Sequence, residues 1–189
     1  MKKLTLLLFL FACFVGCSKK ESIINGRLPN ASFDNEWMYL IPFKNASKKT
    51  VDSVLIRNSS FQFRLKPQKQ NQIFILRIKP LLLRLKLQNI LIISEPGIID
   101  VWMDKHSLAS GTPLNLILQQ WKNEKHISDS IYYSVYRKYK KETNELEKAQ
   151  YQAELKEILE KYQIYADSLA EENKDNAVGQ FIHSLSKNN

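Results

Sequence analysis

The chain has 189 residues, 28 Lys and Arg against 19 Asp and Glu, and a formal net charge of +9. That length allows one ordinary domain with an appendage, and 44% hydrophobic residues exclude a wholly disordered chain. The two cysteines, Cys13 and Cys17, exclude a disulfide framework and a Cys-x-x-Cys redox pair.

The chain opens on Lys2 and Lys3, followed by the apolar run Leu4 to Val15, the small Gly16 and then Cys17. Residues 1–16 read as a lipoprotein signal peptide. The run is shorter than the 20 or so apolar residues of a membrane-spanning helix and gives way to Ser18, Lys19, Lys20 and Glu21. Cleavage before Cys17 places diacylglycerol on its sulfur and an amide-linked acyl chain such as palmitate on its new amino terminus, a far firmer anchor than one chain. The expectation is an exported envelope lipoprotein, in the outer membrane in preference to the inner, facing the periplasm or the cell surface. Cys13 leaves with the signal and the Cys17 sulfur is consumed, so the mature chain keeps no free thiol. Residues 17–21 form a tether.

From Ser22 to Asp104 the residues alternate with period two and are rich in Ile, Val, Phe, Leu and Tyr. Strands are predicted at Ser22 to Arg27, Glu36 to Phe43, Thr50 to Arg57, Phe61 to Lys66, Gln72 to Lys79, Leu81 to Leu87, Asn89 to Ser94 and Ile98 to Asp104. Pro29-Asn30, Asn45-Ala46-Ser47, Asn58-Ser59-Ser60, Pro67, Pro80 and Glu95-Pro96-Gly97 separate them. Seven or eight short strands with no helical pattern between them predict an antiparallel β-sandwich over residues 22–111.

The pattern turns helical at residues 112–189, giving a segregated α+β chain. Thr112 suits an N-cap and Pro113 the first helical position. Leu114, Ile117, Leu118 and Trp121 share one face, which Ile131, Val135 and Tyr139 extend. A second stripe runs through Leu155, Ile158, Leu159, Tyr162, Ala166 and Leu169, with Glu157 four residues before Lys161 on the wet side. A bend near Lys141 to Glu145 makes a hairpin, although no Gly or Pro marks it, so one helix of about sixty residues and about 90 Å is the alternative. Residues 173–176 end the second helix, and Ala177 to Ser186 read as a short last helix with Val178, Phe181, Ile182 and Leu185 inward.

Several motifs carry a resemblance: Ile24-Asn25-Gly26; Val51-Asp52-Ser53-Val54 with Phe61 and Phe63; Ile93-Ser94-Glu95-Pro96-Gly97; and Ser110-Gly111-Thr112-Pro113-Leu114-Asn115. In this order and spacing the segment Ile23 to Asn115 resembles domain of unknown function 4369, with Lys174 to Gly179 similar to the usual continuation. The resemblance implies the N-terminal β-sandwich of exported, often lipid-anchored, thioredoxin-like proteins. The thioredoxin motif Trp-Cys-x-x-Cys does not occur in these residues, so the disulfide exchange of those proteins is not expected of this chain. The family's Asn-Gly-Lys turn before Phe61 is here Asn58-Ser59-Ser60, which predicts a looser hairpin or another turn type.

No constellation for catalysis is found, and the expectation is a protein that is not an enzyme and uses no cofactor. His106, His126 and His183 lie far apart and lack zinc spacing; His126 with Asp129 is the nearest approach to a ligand pair and reads as a solvated helix face. Glu154, Glu157, Glu160, Glu171 and Glu172 sit opposite the apolar stripe. Charge is uneven: residues 18–111 carry 15 basic against 7 acidic residues, and residues 112–189 carry 11 against 12. Arg64/Lys66, Arg77/Lys79 and Arg84/Lys86 are spaced by two, so each pair shares a strand face; if those strands are neighbours, one sheet face is basic and suits anionic lipid or polysaccharide. Export argues against nucleic acid. Ser53, Ser130 and Ser168 lie in Asp-Ser-aliphatic triplets that resemble acceptors for O-glycosylation. The expected partners are the membrane through Cys17 and a protein at the helical hairpin. The alternative function is an accessory or truncated component of a periplasmic thiol-disulfide system whose redox domain is on another chain.

Overall fold

A computed structural model describes residues 21–79 and 86–186. Eight strands precede three helices: β1 (Ser22–Arg27), β2 (Trp37–Pro42), β3 (Asp52–Leu55), β4 (Ser60–Leu65), β5 (Ile73–Ile78), β6 (Ile90–Ile93), β7 (Gly97–Trp102), β8 (Leu108–Ser110), α1 (Pro113–Lys141), α2 (Glu145–Glu172) and α3 (Ala177–Ser186). Residues 81–85 of the strand expected at Leu81 to Leu87 lie outside the described residues, and Lys86 and Leu87 form a turn. The three-residue β8 was not expected.

The strands make two four-stranded sheets, β4-β1-β7-β8 and β3-β2-β5-β6. Every pairing is antiparallel except β1 with β7, which run side by side from Ser22↔Gly97 to Arg27↔Trp102. Alternate residues face inward, so Ile24, Phe63, Ile99 and Val101 of one sheet meet Met38, Leu40, Leu76 and Ile78 of the other in one buried core. Gly26 lies opposite Phe61, and the Phe61 ring occupies the space a Cβ at Gly26 would need.

The turn between β3 and β4, which carries the chain from one sheet to the other, is tight, where a looser hairpin or another turn type was expected. Arg57 and Ser60 exchange both backbone bonds at 3.0 Å, and Asn58 and Ser59 take φ of 51° and 55°. Both central residues with positive φ define a type I′ turn. Asp34 holds it from outside: its carboxylate accepts from the Asn58 and Ser59 amides at 3.0 and 2.8 Å.

α1 starts as expected, with Thr112 at the N-cap and Pro113 in the first turn, but the Thr112 hydroxyl caps no amide. Glu95 does that instead, accepting from the Leu114 amide at 2.8 Å. The break between α1 and α2 falls at residues 142–144, so the helices form the hairpin and not the single long helix. Asn144 ends the break by accepting from the Leu146 and Glu147 amides. Two residues assigned to the apolar stripes face solvent: Ile131 is 48% and Leu159 51% exposed. Beyond the sandwich the two helices cover only each other, so just the facing arcs, with Val135 and Leu155, are buried. In α3, Val178, Phe181 and Ile182 are buried and Leu185 is partly so.

Candidate functional site: a carboxamide-rimmed cleft

The molecule has two distinct ends, fixed by register. Ser22, Leu65, Gly97 and, across the core, Ile73 and Ile93 lie at the end where the chain enters β1. α1 begins at this entry end and climbs toward the other. Asn115 bonds Ile93, Gln119 accepts from the Ala109 amide at 3.0 Å, and the His126 ring sits 5.4 Å from that of His106 beyond the end of β7. From His126 to Lys141 the helix then extends about 22 Å past that contact.

Asn115, Gln119, Lys122 and His126 are spaced i, i+4, i+7 and i+11, so one polar stripe of α1 lies against the sandwich. Asn115 is fully buried and acts as a neighbouring strand for the edge of β6: its Oδ1 accepts from the Ile93 amide and its Nδ2 donates to the Ile93 carbonyl, both at 2.9 Å. The Lys122 ammonium is buried without a hydrogen-bond partner among the described residues, and burial pushes its pKa down to about 8. Burial likewise raises the hydroxyls of Tyr162 and Tyr165 on α2 above their ordinary value.

A cleft of about 700 Å³ opens at the entry end. Its floor is Leu40 and Phe74 from one sheet and Leu65 from the other, where the two sheets part. Phe43, 38% exposed, meets Phe181 of α3 edge to face with ring centroids 5.1 Å apart, forming one apolar wall. The rim carries six carboxamides: Asn45, Gln68, Gln70, Asn71, Gln72 and Gln180. Lys44 and Asp52 are its only charged lining residues among those described. The sequence signal for this rim is the run Gln68-Lys69-Gln70-Asn71-Gln72, which lies between the Pro67 turn signal and the strand expected from Gln72.

The structure separates the residues of the expected basic face. β4 and β5 belong to different sheets, so Arg64 and Lys66 do not share a face with Arg77 and Lys79; the strands are not neighbours. Lys86 sits in the turn before β6, and Arg84 lies outside the described residues. The outer face of β2, β3 and β5 is instead largely apolar, with exposed Trp37 and half-buried Ile41, Leu55 and Ile75 beside Arg77. Ser53 is half-buried on β3, Ser130 and Ser168 are exposed, and Ser168 donates to Glu172 at 3.2 Å. Asp129 pairs with Lys125 at 2.8 Å. The rings of His106 and His126 meet although the sequence holds them apart, and the described residues contain no group of three or more His, Cys, Asp or Glu able to hold a metal ion. Cys17 lies outside the described residues, and among those described no helix is long and apolar enough to cross a membrane.

A family model described as a domain of unknown function, DUF4369, matches residues 22–118, just over half of the chain. The chain belongs to this family. The DUF4369 match covers all eight strands and ends at Leu118, inside α1, which agrees with the way Asn115 and Glu95 tie the first turns of that helix into the sandwich. No curated protein and no solved structure matches the chain.

Proposed function

We propose that this DUF4369 protein is a non-catalytic binding module of the cell envelope, anchored by an acylated Cys17 and held in the outer membrane in preference to the inner. The carrying observation is the joint between leader and fold. The basic residues, the apolar run, Gly16 and Cys17 stand directly ahead of Ser22, where β1 begins. Five residues reach at most about 18 Å. Anchored there, the sandwich keeps its entry end, and the cleft in it, close to the lipid headgroups, while α1 and α2 point away. The hairpin carries Ile127, Ile131, Leu146 and Ile164, exposed apolar side chains suited to a protein partner. A second reading is favoured by the resemblance to the N-terminal module of thioredoxin-like lipoproteins: an accessory component of a thiol-disulfide system whose redox domain is on another chain.

The test is metabolic labelling with a palmitate analogue in cells producing the full chain. Wild type should carry the label and sediment with membranes. The Cys17→Ser chain should carry none and keep its leader. Label that persists in Cys17→Ser, or an unlabelled wild type, defeats the anchor.

A further inference from the structure

We infer that the cleft at the entry end is a binding site for neutral saccharide. The inference deepens the reading of the chain as a binding module by naming the ligand, and it stands whether or not Cys17 is acylated. Three features of the cleft carry it.

The first is the state of the rim. None of the side-chain amides of Asn45, Gln68, Gln70, Asn71, Gln72 and Gln180 bonds to another described residue; Asn35, Asn58, Asn89, Gln120 and Gln150 elsewhere are likewise unpaired, but the six of the rim are gathered around one apolar cleft. The rim therefore presents six free groups that each donate and accept. Sugar hydroxyls need both functions at once, and a carboxamide supplies them without charge.

The second is the charge. In a chain of net charge +9 the described residues line the cleft with one cation, Lys44, and one anion, Asp52. Those residues bring no excess of positive charge to select phosphate, sulfate or a uronic acid, so a neutral ligand fits them best.

The third is the pairing of an apolar interior with that rim. Phe43, 38% exposed, and the half-buried Leu65, backed by the buried Leu40, Phe74 and Phe181, offer a surface for the C–H face of a pyranose, while hydroxyls at the ring's edge reach the amides. An extended peptide would instead need free backbone groups to pair with. Beside the apolar floor three such groups are already spent: the Phe43 amide on Ile73, the Gln72 amide on the Ser94 hydroxyl and the Gln72 carbonyl on the Ser94 amide.

The full chain, purified in detergent, is titrated with a panel of neutral oligosaccharides of the malto-, cello-, manno-, xylo- and N-acetylchito-series, with a uronic-acid series and a random peptide array alongside. The expectation is binding to at least one neutral series, unchanged in Cys17→Ser. Asn71→Ala and Gln180→Ala should each weaken that binding about tenfold, and together about a hundredfold, with the melting temperature unchanged, because both side chains are solvent-exposed. Phe43→Ala serves as an independent variant on the apolar wall and should weaken the same ligand. Binding to no neutral series, equal binding by wild type and the double variant, or capture of peptides or uronic acids in place of neutral sugar overturns the proposal. Loss of labelling at Cys17 would leave it standing, so anchor and ligand fail separately.

Discussion

Lys122→Met should stabilise the protein, and the gain should fade as pH rises. Lys122 occupies the polar stripe by which α1 meets the sandwich, one residue after the buried Trp121, and its ammonium has no hydrogen-bond partner among the described residues. Burial lowers its pKa from 10.5 to about 8. The folded state therefore gives up this proton more readily than the unfolded state. Below pH 8 both states hold it and the whole cost of burying the charge is present; between about pH 8 and 10.5 the unfolded state binds more protons, so stability rises with pH. At 1.36 kcal/mol per unit the shift sets a ceiling of about 3 kcal/mol. Methionine fills similar volume without charge. Urea unfolding of the two chains should show Lys122→Met ahead by up to about 3 kcal/mol at pH 7 and by less at pH 9.5. The range stops there because Tyr162 and Tyr165, with raised hydroxyl pKa values, cost stability as pH climbs past 10. Parallel pH curves for the two proteins would refute the reasoning, since they would mean that the ammonium is solvated in the folded state.

Ser59→Gly should raise stability by about 1 kcal/mol in the same assay, because Ser59 holds φ of 55° in the type I′ turn and glycine adopts that conformation without a Cβ clash. Asn115→Ala should cost about 2–3 kcal/mol: the Ile93 amide loses its acceptor inside the protein, while the Ile93 carbonyl keeps the Glu95 amide. In hydrogen exchange, that variant should expose β6 before β1.

Strands such as β1, β4 and β7 were legible because each has one buried face, and alternation reports burial directly, whereas β6 is packed on both faces and β3 has no buried residue. β1 runs over the expected residues, and most of the other expected strands are trimmed by a residue or two at their ends. Which sheet a strand joins is another matter. The chain from Lys66 to Gln72 carries β4 in one sheet to β5 in the other, and no local pattern distinguishes that crossing from an ordinary hairpin; the basic face failed there. The helical break had a mark other than Gly or Pro, since Asn144 with Glu147 three residues on is an N-cap pattern. The turn at Asn58-Ser59 was misread because the missing glycine suggested relaxation, whereas the Asp34 carboxylate, 24 residues upstream of Asn58, holds the strained form. The cleft could not be assembled from sequence at all. Its rim comes from the β2–β3 loop, the β4–β5 loop and α3, which only the folded chain brings together.

The way α1 is attached bears on what the hairpin can do. At the entry end the attachment is apolar: Ile93, Leu118, Trp121, Ala166, Leu169, Val178 and Phe181 form one cluster, with Ile73 and Leu91 packed against it. Higher up it is polar, through Gln119, Lys122 and His126, and one of those three is an unpaired buried cation. Apolar burial contributes about 25 cal/mol per Å², whereas an amide bond nets about 1 kcal/mol and an unpaired buried ammonium is a cost. The helices are therefore fastened most firmly beside the cleft and less firmly toward the far end. Because α3 both seals the apolar cluster through Phe181 and walls the cleft through the Phe43 contact, a ligand in the cleft bears on the same side chain that secures the hairpin.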